Sequence, residues 1–351
     1  MGRHHTPEPL PARDRAAVRT TALALFALAL VVVAMIASYS GAFAKPTLHD
    51  RNVAVAAPAP VLDGIRDQDA LRVNEVRDAA AAREQVYQRK ADAGFVVDPT
   101  GAMTIYVAGG GGRSVATAAE TVGQAVAATA GLRATIEDVA PASAGDPSGT
   151  VEFYAVIFIS IGASVGATVL GRFMGPVRKA RHPGPAHAHP RRVLGAAGGA
   201  VTVYVDAVLG ALVGHPWAVF GALWVYALAV GGAITGVAAA FGTAASLALT
   251  LFLVIIGNAA AAGPVGRPLV SGFYSTFSEI VPQGSGVSLL RSVAYFGGNG
   301  AQTSLVTLAL WGAGGCVLAI LATAARVDYR AVHDRFARRH LLRPRDLSPA
   351  D

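Results

Sequence analysis

TALALFALALVVVAMIASYSGAF, residues 21–43, is preceded by Arg13, Arg15 and Arg19 and carries no charge of its own. A bilayer's hydrocarbon core is crossed by about 20 apolar residues, so this run is long enough to span. AFA at 42–44 resembles a signal-peptidase site, and cleavage there would remove the run. Its apolar core, however, outlasts the roughly 7–15 residues of a signal peptide's hydrophobic region, and it reads as an uncleaved anchor. The rest of the chain fits a membrane setting: 53% of residues are hydrophobic and 15% charged, with a mean hydropathy of +0.47, whereas soluble domains average about 25% charged.

Five further runs have spanning length: about 151–170, 193–213, 217–240, 244–262 and 301–325. His215 and Pro216 separate the third and fourth spans, which predicts a tight hairpin. The basic residues fall into three clusters: the tail with Arg3, Arg13, Arg15 and Arg19; the 171–192 connection with Arg172, Arg178, Lys179, Arg181, Arg191 and Arg192; and the tail after Ala325 with Arg326, Arg330, Arg335, Arg338, Arg339, Arg343 and Arg345. Six spans place all three on one side, which the positive-inside rule makes cytoplasmic. The net charge of +7 is therefore topological, and no aromatic-interleaved basic patch speaks for nucleic acid. The lone cysteine, Cys316, lies inside an apolar run and excludes an intrachain disulfide framework. The predicted fold is a polytopic α-helical membrane protein of six transmembrane helices, with an extracytoplasmic α/β domain inserted between helices 1 and 2. Its segments are a cytoplasmic tail 1–19, a first helix 20–43, the domain 44–149, helices two to six over 150–325, and a cytoplasmic tail 326–351.

Within 44–149 charges are interspersed and no run reaches spanning length. Strands are expected at 52–57, 71–74, 94–98, 103–108 and 133–140, with helices near 61–68, 76–91 and 114–130. Pro99-Thr100-Gly101 predicts a hairpin turn. Ser114 is the expected N-cap of the long helix, with Gly131 just past its end. Val76, Ala80 and Tyr87 are expected on one face of the 76–91 helix. GGGG at 109–112 lacks GxxxxGK[ST] and the spaced glycines of a dinucleotide site, and reads as a flexible turn. Residues 141–149 form a linker back to the membrane.

Between the last two spans, FYSTFSEIVPQGSGVSLLR (273–291) is too oily for a loop and too interrupted for a span. Two short helices, about 268–280 and 285–295, are expected within a segment of about 263–300, returning at Pro282–Gly286. The segment either dips into the outer leaflet as a re-entrant gate with Glu279 and Arg291 at its rim, or lies on the surface with both charges in water. Asp206 is the acidic residue set well inside a span; it is a candidate proton or substrate acceptor, or one half of an interhelical pair. Asn258 is a candidate for bonding across helices or for the same pathway. Glycines around 231–236 and in WGAGGC suit close helix approach. His182, His187 and His189 sit in a proline-rich loop, where a solvated loop is the expectation and a metal tract the alternative. No nucleophile–base pair, cofactor motif or metal-ligand constellation is evident, and no enzyme is expected.

NVAVAAP after the first span, AREQVYQRKADAGFVVDP, TIYVAGG before a long helix, and GNAAAAGPVGRPLVSGFYSTFSEIVPQGSGVSLLRSVAYFGG between the last two spans occur in an order that resembles the ABC-2-type permease superfamily, in its phage-infection-protein-like branch. The likeness covers roughly residues 20–325 and is mostly architectural. It implies a homodimer or pseudo-dimer of six-span halves among membrane lipids in a bacterial cell membrane. Such a protein would export a hydrophobic or amphipathic molecule, with any ATPase a separate cytoplasmic subunit. The 171–192 loop departs from that pattern, because it has no acidic residue and is rich in proline and histidine. An envelope receptor, scaffold or secretion component that binds a partner through the same domain is the rival expectation.

Overall fold

A computed structural model describes residues 12–46, 51–68, 71–174, 211–212 and 215–326. Helix α1 spans Ala12–Phe43, and the chain then enters an α/β unit. Its elements are β1 (Arg51–Ala56), α2 (Ala59–Arg66), β2 (Leu71–Glu75), α3 (Ala79–Tyr87), β3 (Ala93–Val97), β4 (Ala102–Val107), α4 (Arg113–Thr129) and β5 (Arg133–Asp138). The five strands form one sheet in the order β2-β1-β3-β4-β5, parallel except for the β3–β4 pair. That pair is antiparallel because Pro99–Gly101 closes it as a hairpin, with the Asp98 carboxylate accepting from the Thr100 and Ala102 amides and the Thr100 hydroxyl.

Strand alternation gives the sheet two cores. Val53, Val55, Phe95, Met103, Ile105 and Val107 face α2 and α4. Ala54, Val96 and Tyr106 face α3, and this second core is completed by Phe296, from the membrane half of the chain, 1% exposed. The domain is thus closed by a residue far outside its own sequence. Two local expectations change. The buried residues of α3 are Ala82 and Val86 rather than Ala80, which is exposed; the helix starts at Ala79 with Asp78 as N-cap, so Val76 precedes it, and Ala82 and Val86 make the face that meets the sheet, with Tyr87 at its edge. Gly112, not Ser114, precedes α4, and the Ser114 hydroxyl instead donates to the Pro264 carbonyl.

The apolar half comprises α5 (Val151–Met174), α6 (Pro216–Phe241), α7 (Thr243–Ala260), α8 (Gly272–Ile280), α9 (Pro282–Tyr295) and α10 (Ala301–Arg326). Among the described residues, four segments are long and apolar enough to cross a membrane: Arg15–Phe43, Pro216–Phe241, Thr243–Ala260 and Ala301–Ala325; Val151–Ala167 is a shorter apolar helix. The protein is accordingly membrane-embedded and polytopic, with the α/β unit inserted after the first apolar helix. The expected third span, 193–213, with Asp206, lies outside the described residues, apart from Ala211 and Leu212. So do the 175–192 loop with its histidines and the tail beyond Arg326.

Helices α6 and α10 run in the same direction and meet through glycine. A Cβ added at Gly236 would stand 2.2 Å from the Gly315 carbonyl oxygen, and one at Gly315 would stand 2.3 Å from that of Gly232. The glycine-rich stretches therefore serve close packing within the chain. Helix α7 is wound as π-helix over Leu253–Gly257, a local widening that recurs at functional sites.

Candidate functional site under the domain

The interrupted 273–291 segment resolves into α8 and α9, with the break at Val281. Pro282 occupies the first turn of α9, where its missing N–H costs nothing. Gly284 and Gly286 lie inside α9 rather than at the return, because each gives close approach to a neighbour: Ser278 for the first, Tyr226 and Val156 for the second. Helix α9 is buried along most of its length, from Pro282 to Ser292, so this half of the segment is not a surface-lying amphipath, whereas α8 keeps Phe273 and Ile280 more than half exposed.

The lower turn of α9 brings polar groups into the apolar bundle. Gln283, wholly buried, donates to the Leu253 carbonyl at 3.0 Å and to the Ser160 hydroxyl at 3.3 Å. The first acceptor starts the π-helical turn, and this bond supplies a partner to a carbonyl in a widened helix. Asn258, 1% exposed at the end of the same turn, has no partner for its Oδ1. Ser38 of α1 donates to Ile255 O and lies 3.0 Å from the Tyr274 hydroxyl. The region where α1, α5, α7, α8 and α9 converge is thus a polar seam.

The upper turn of α9 anchors the domain. Arg291, 4% exposed, donates to three carbonyls: Gly111 at 3.1 Å, Gly149 at 3.0 Å and Gly263 at 2.9 Å. These belong to the glycine turn of the domain, the linker into α5 and the loop after α7, so one guanidinium joins three parts of the chain. The GGGG turn is correspondingly no free loop. A Cβ at Gly110 would fall 2.4 Å from the Tyr295 ring, so the backbone lies directly on that side chain. Arg291 is therefore interior and not at a rim, while Glu279 is exposed and paired with Arg267 at 2.7 Å.

From the domain side comes Arg89. It ends α3 with φ +59°, a left-handed conformation costly for a residue with a Cβ, while the Lys90 amide bonds back to Gln85 O. The turn sends the guanidinium to the Ser288 carbonyl (2.9 Å) and the Ser292 hydroxyl, and over the Phe296 ring at 5.1 Å. Burial, then the charges of Arg291 and Arg267, push its pKa down to about 10. It remains cationic at neutral pH.

Between these groups is a cavity of about 410 Å³. Arg89, Arg267 and Arg291 line it, with the hydroxyl-bearing Ser278, Ser285, Ser288, Thr303 and Ser304, and with Asp92 and Glu279 as its acidic residues. Beside Arg291 the Glu152 carboxylate is wholly buried in the first turn of α5, with the Tyr295 hydroxyl and the Arg291 charge as its polar neighbours. Sequence reading missed Arg89, Gln283 and Glu152. Glu152 had a signal, a carboxylate at the first position after Val151 of an apolar run; Arg89 had none beyond its place in a charged helix. Asp206 lies outside the described residues. Among the described residues no group of three or more His, Cys, Asp or Glu is placed to hold a metal. Comparison with family models, with characterised proteins and with solved structures returns no match to this chain.

Proposed function

We propose that the chain is one half of an exporter resembling ABC-2-type permeases, with six spans, the α/β domain outside the cytoplasm and both termini inside. The observation that carries this reading is α9: a buried helix with polar side chains at both ends, inserted between apolar helices and roofed by a domain that it helps to close. Such a hairpin links the position of the outer domain to the packing of the spans, as an outer gate requires.

The directions of the helices support the span count. Helices α5 and α10 begin next to the domain, at Gly149 and Gly300, where Arg291 and Arg89 reach them. Helix α6 runs parallel to α10 and so begins on that side as well. A chain that leaves α5 at the far side must cross back before α6, and the apolar run 193–213 has the length to do so. Asp206 would lie on that crossing. The faces of α1 and α10 are largely uncovered, 0% and 11% buried over their most apolar windows, and provide surface for lipid or for a second copy in a homodimer. Energy would come through a separate ATPase subunit or through a proton, with Asp206 and Glu152 as the carboxylates to examine.

Untargeted lipid and metabolite profiling of a deletion strain, with drug sensitivity measured alongside, tests the reading. The expected result is intracellular build-up of one amphipathic class, reversed by the wild-type gene and not by Arg291→Ala. Identical profiles and sensitivities with and without the gene would remove transport and leave the receptor or scaffold reading.

A further inference from the structure

We propose that the cavity beneath the domain binds the acidic headgroup of an amphipathic molecule, a phosphate or carboxylate on an apolar tail. The proposal deepens the exporter reading and takes its substrate class from the site itself.

Three guanidiniums share one cavity of about 410 Å³, an arrangement that like charges resist unless something anionic enters. Of its two acidic residues, Glu279 pairs with Arg267 at 2.7 Å, and Asp92 stands 4.0 Å from the buried Arg51 while its charge also acts on Arg89. Among the described residues, Arg89 and Arg291 have no carboxylate within 4.0 Å. Glu152 is near enough to Arg291 to act on its charge without forming an ion pair. The cavity is therefore bounded by two cations that form no ion pair among the described residues, with the Asp92 and Glu152 charges nearby, and hydroxyls on α8, α9 and α10 line the same space. Arginine and hydroxyl donors together are the usual recognition set for phosphate and carboxylate.

The tail follows from what adjoins the cavity. Ser278 and Glu279 of α8 line it, while Phe273 and Ile280 of the same helix are more than half exposed. An apolar chain can thus lie along the outer side of α8 while its head enters between α8 and the domain. Val86, Val115, Ala261 and Val287 give the cavity an apolar component of its own. The strained backbone at Arg89 fits the same purpose, since conformations of this kind persist where a side chain must be aimed.

The test uses purified full-length protein in a neutral detergent and three probes: a single-chain lysophosphatidic acid, a monoacylglycerol with the same chain, and inorganic phosphate. Binding is read by thermal midpoint and by tryptophan fluorescence. The lysophosphatidic acid should bind at least tenfold more tightly than either of the others. Arg89→Gln and Arg267→Gln should each weaken it at least tenfold, and Arg77→Gln, at an exposed position outside the cavity lining, should leave it unchanged. Arg267→Gln keeps the test valid if Arg89→Gln loosens the domain. Equal binding of the monoacylglycerol would overturn the anion site, and equal binding of phosphate would overturn the amphiphile. Selective binding together with an unchanged deletion profile would uphold the site while rejecting export.

Discussion

Gly236→Ala tests the tightest helix contact in the bundle. The added Cβ would lie 2.2 Å from the Gly315 carbonyl oxygen and 2.7 Å from its Cα. Both are backbone atoms, so no side-chain rotation relieves the clash and α6 must move from α10. Overpacking of this kind costs up to about 3 kcal/mol, and the better helix propensity of alanine returns about 1 kcal/mol. The net loss is therefore up to about 2 kcal/mol. Gly314 is the built-in control, because nothing lies within 4 Å of an added Cβ there; Gly314→Ala keeps only the propensity gain and should be stabilised by up to about 1 kcal/mol. Unfolding of the purified protein by sodium dodecyl sulfate in mixed micelles, followed by tryptophan fluorescence, measures both. Trp224 and Trp311 lie on the two helices concerned. If Gly236→Ala proved as stable as Gly314→Ala, the reasoning from close backbone approach would be refuted.

Three other outcomes are expected. Gln283→Leu removes the second donor to the Leu253 carbonyl, which keeps the Asn258 amide as its π-helical partner, and should lower the unfolding free energy by about 0.5–1.5 kcal/mol, read in the same micelle assay; an unchanged midpoint would mean that the bond contributes nothing. Asp78→Ala removes the side chain that accepts from the Ala81 amide at the start of α3 and should cost about 1 kcal/mol, seen as faster hydrogen exchange over the first turn of α3 and not over α4. A cysteine at the exposed Gln124, in a Cys316→Ala background, should react with a membrane-impermeant thiol reagent in intact cells; reaction only after lysis would invert the topology.

The α/β unit was legible because its signals are local. Short apolar runs mark β1, β3 and β4, Pro99-Thr100-Gly101 marks the hairpin, and each expected strand and helix of the domain is present within a few residues. The described apolar helices were legible for the same reason, since length and composition suffice. The break between α8 and α9 was placed a little late because Pro282, Gly284 and Gly286 all look like breakers in sequence. Pro282 is at home in the first turn of a helix, and the glycines serve neighbours that only the fold brings close.

What stayed hidden is the joint between the halves, because it depends on contacts separated by well over a hundred residues. Arg291 was singled out as a charge at an oily edge, which correctly marked it as unusual but gave it the wrong setting. Its three acceptors are backbone carbonyls at Gly111, Gly149 and Gly263, and carbonyls leave no trace in a sequence. Phe296 is a similar case: beside Tyr295 it resembles an interface aromatic, yet it fills the second core of the domain. The consequence is mechanical. A domain whose core is closed by the end of α9, and whose glycine turn is held by Arg291, cannot tilt without moving α9, and α9 cannot move without disturbing the Gln283 bond to the π-helical turn of α7. The polar seam and the cavity under the domain are therefore two ends of one rigid helix, so an occupant at the upper end would alter packing at the lower.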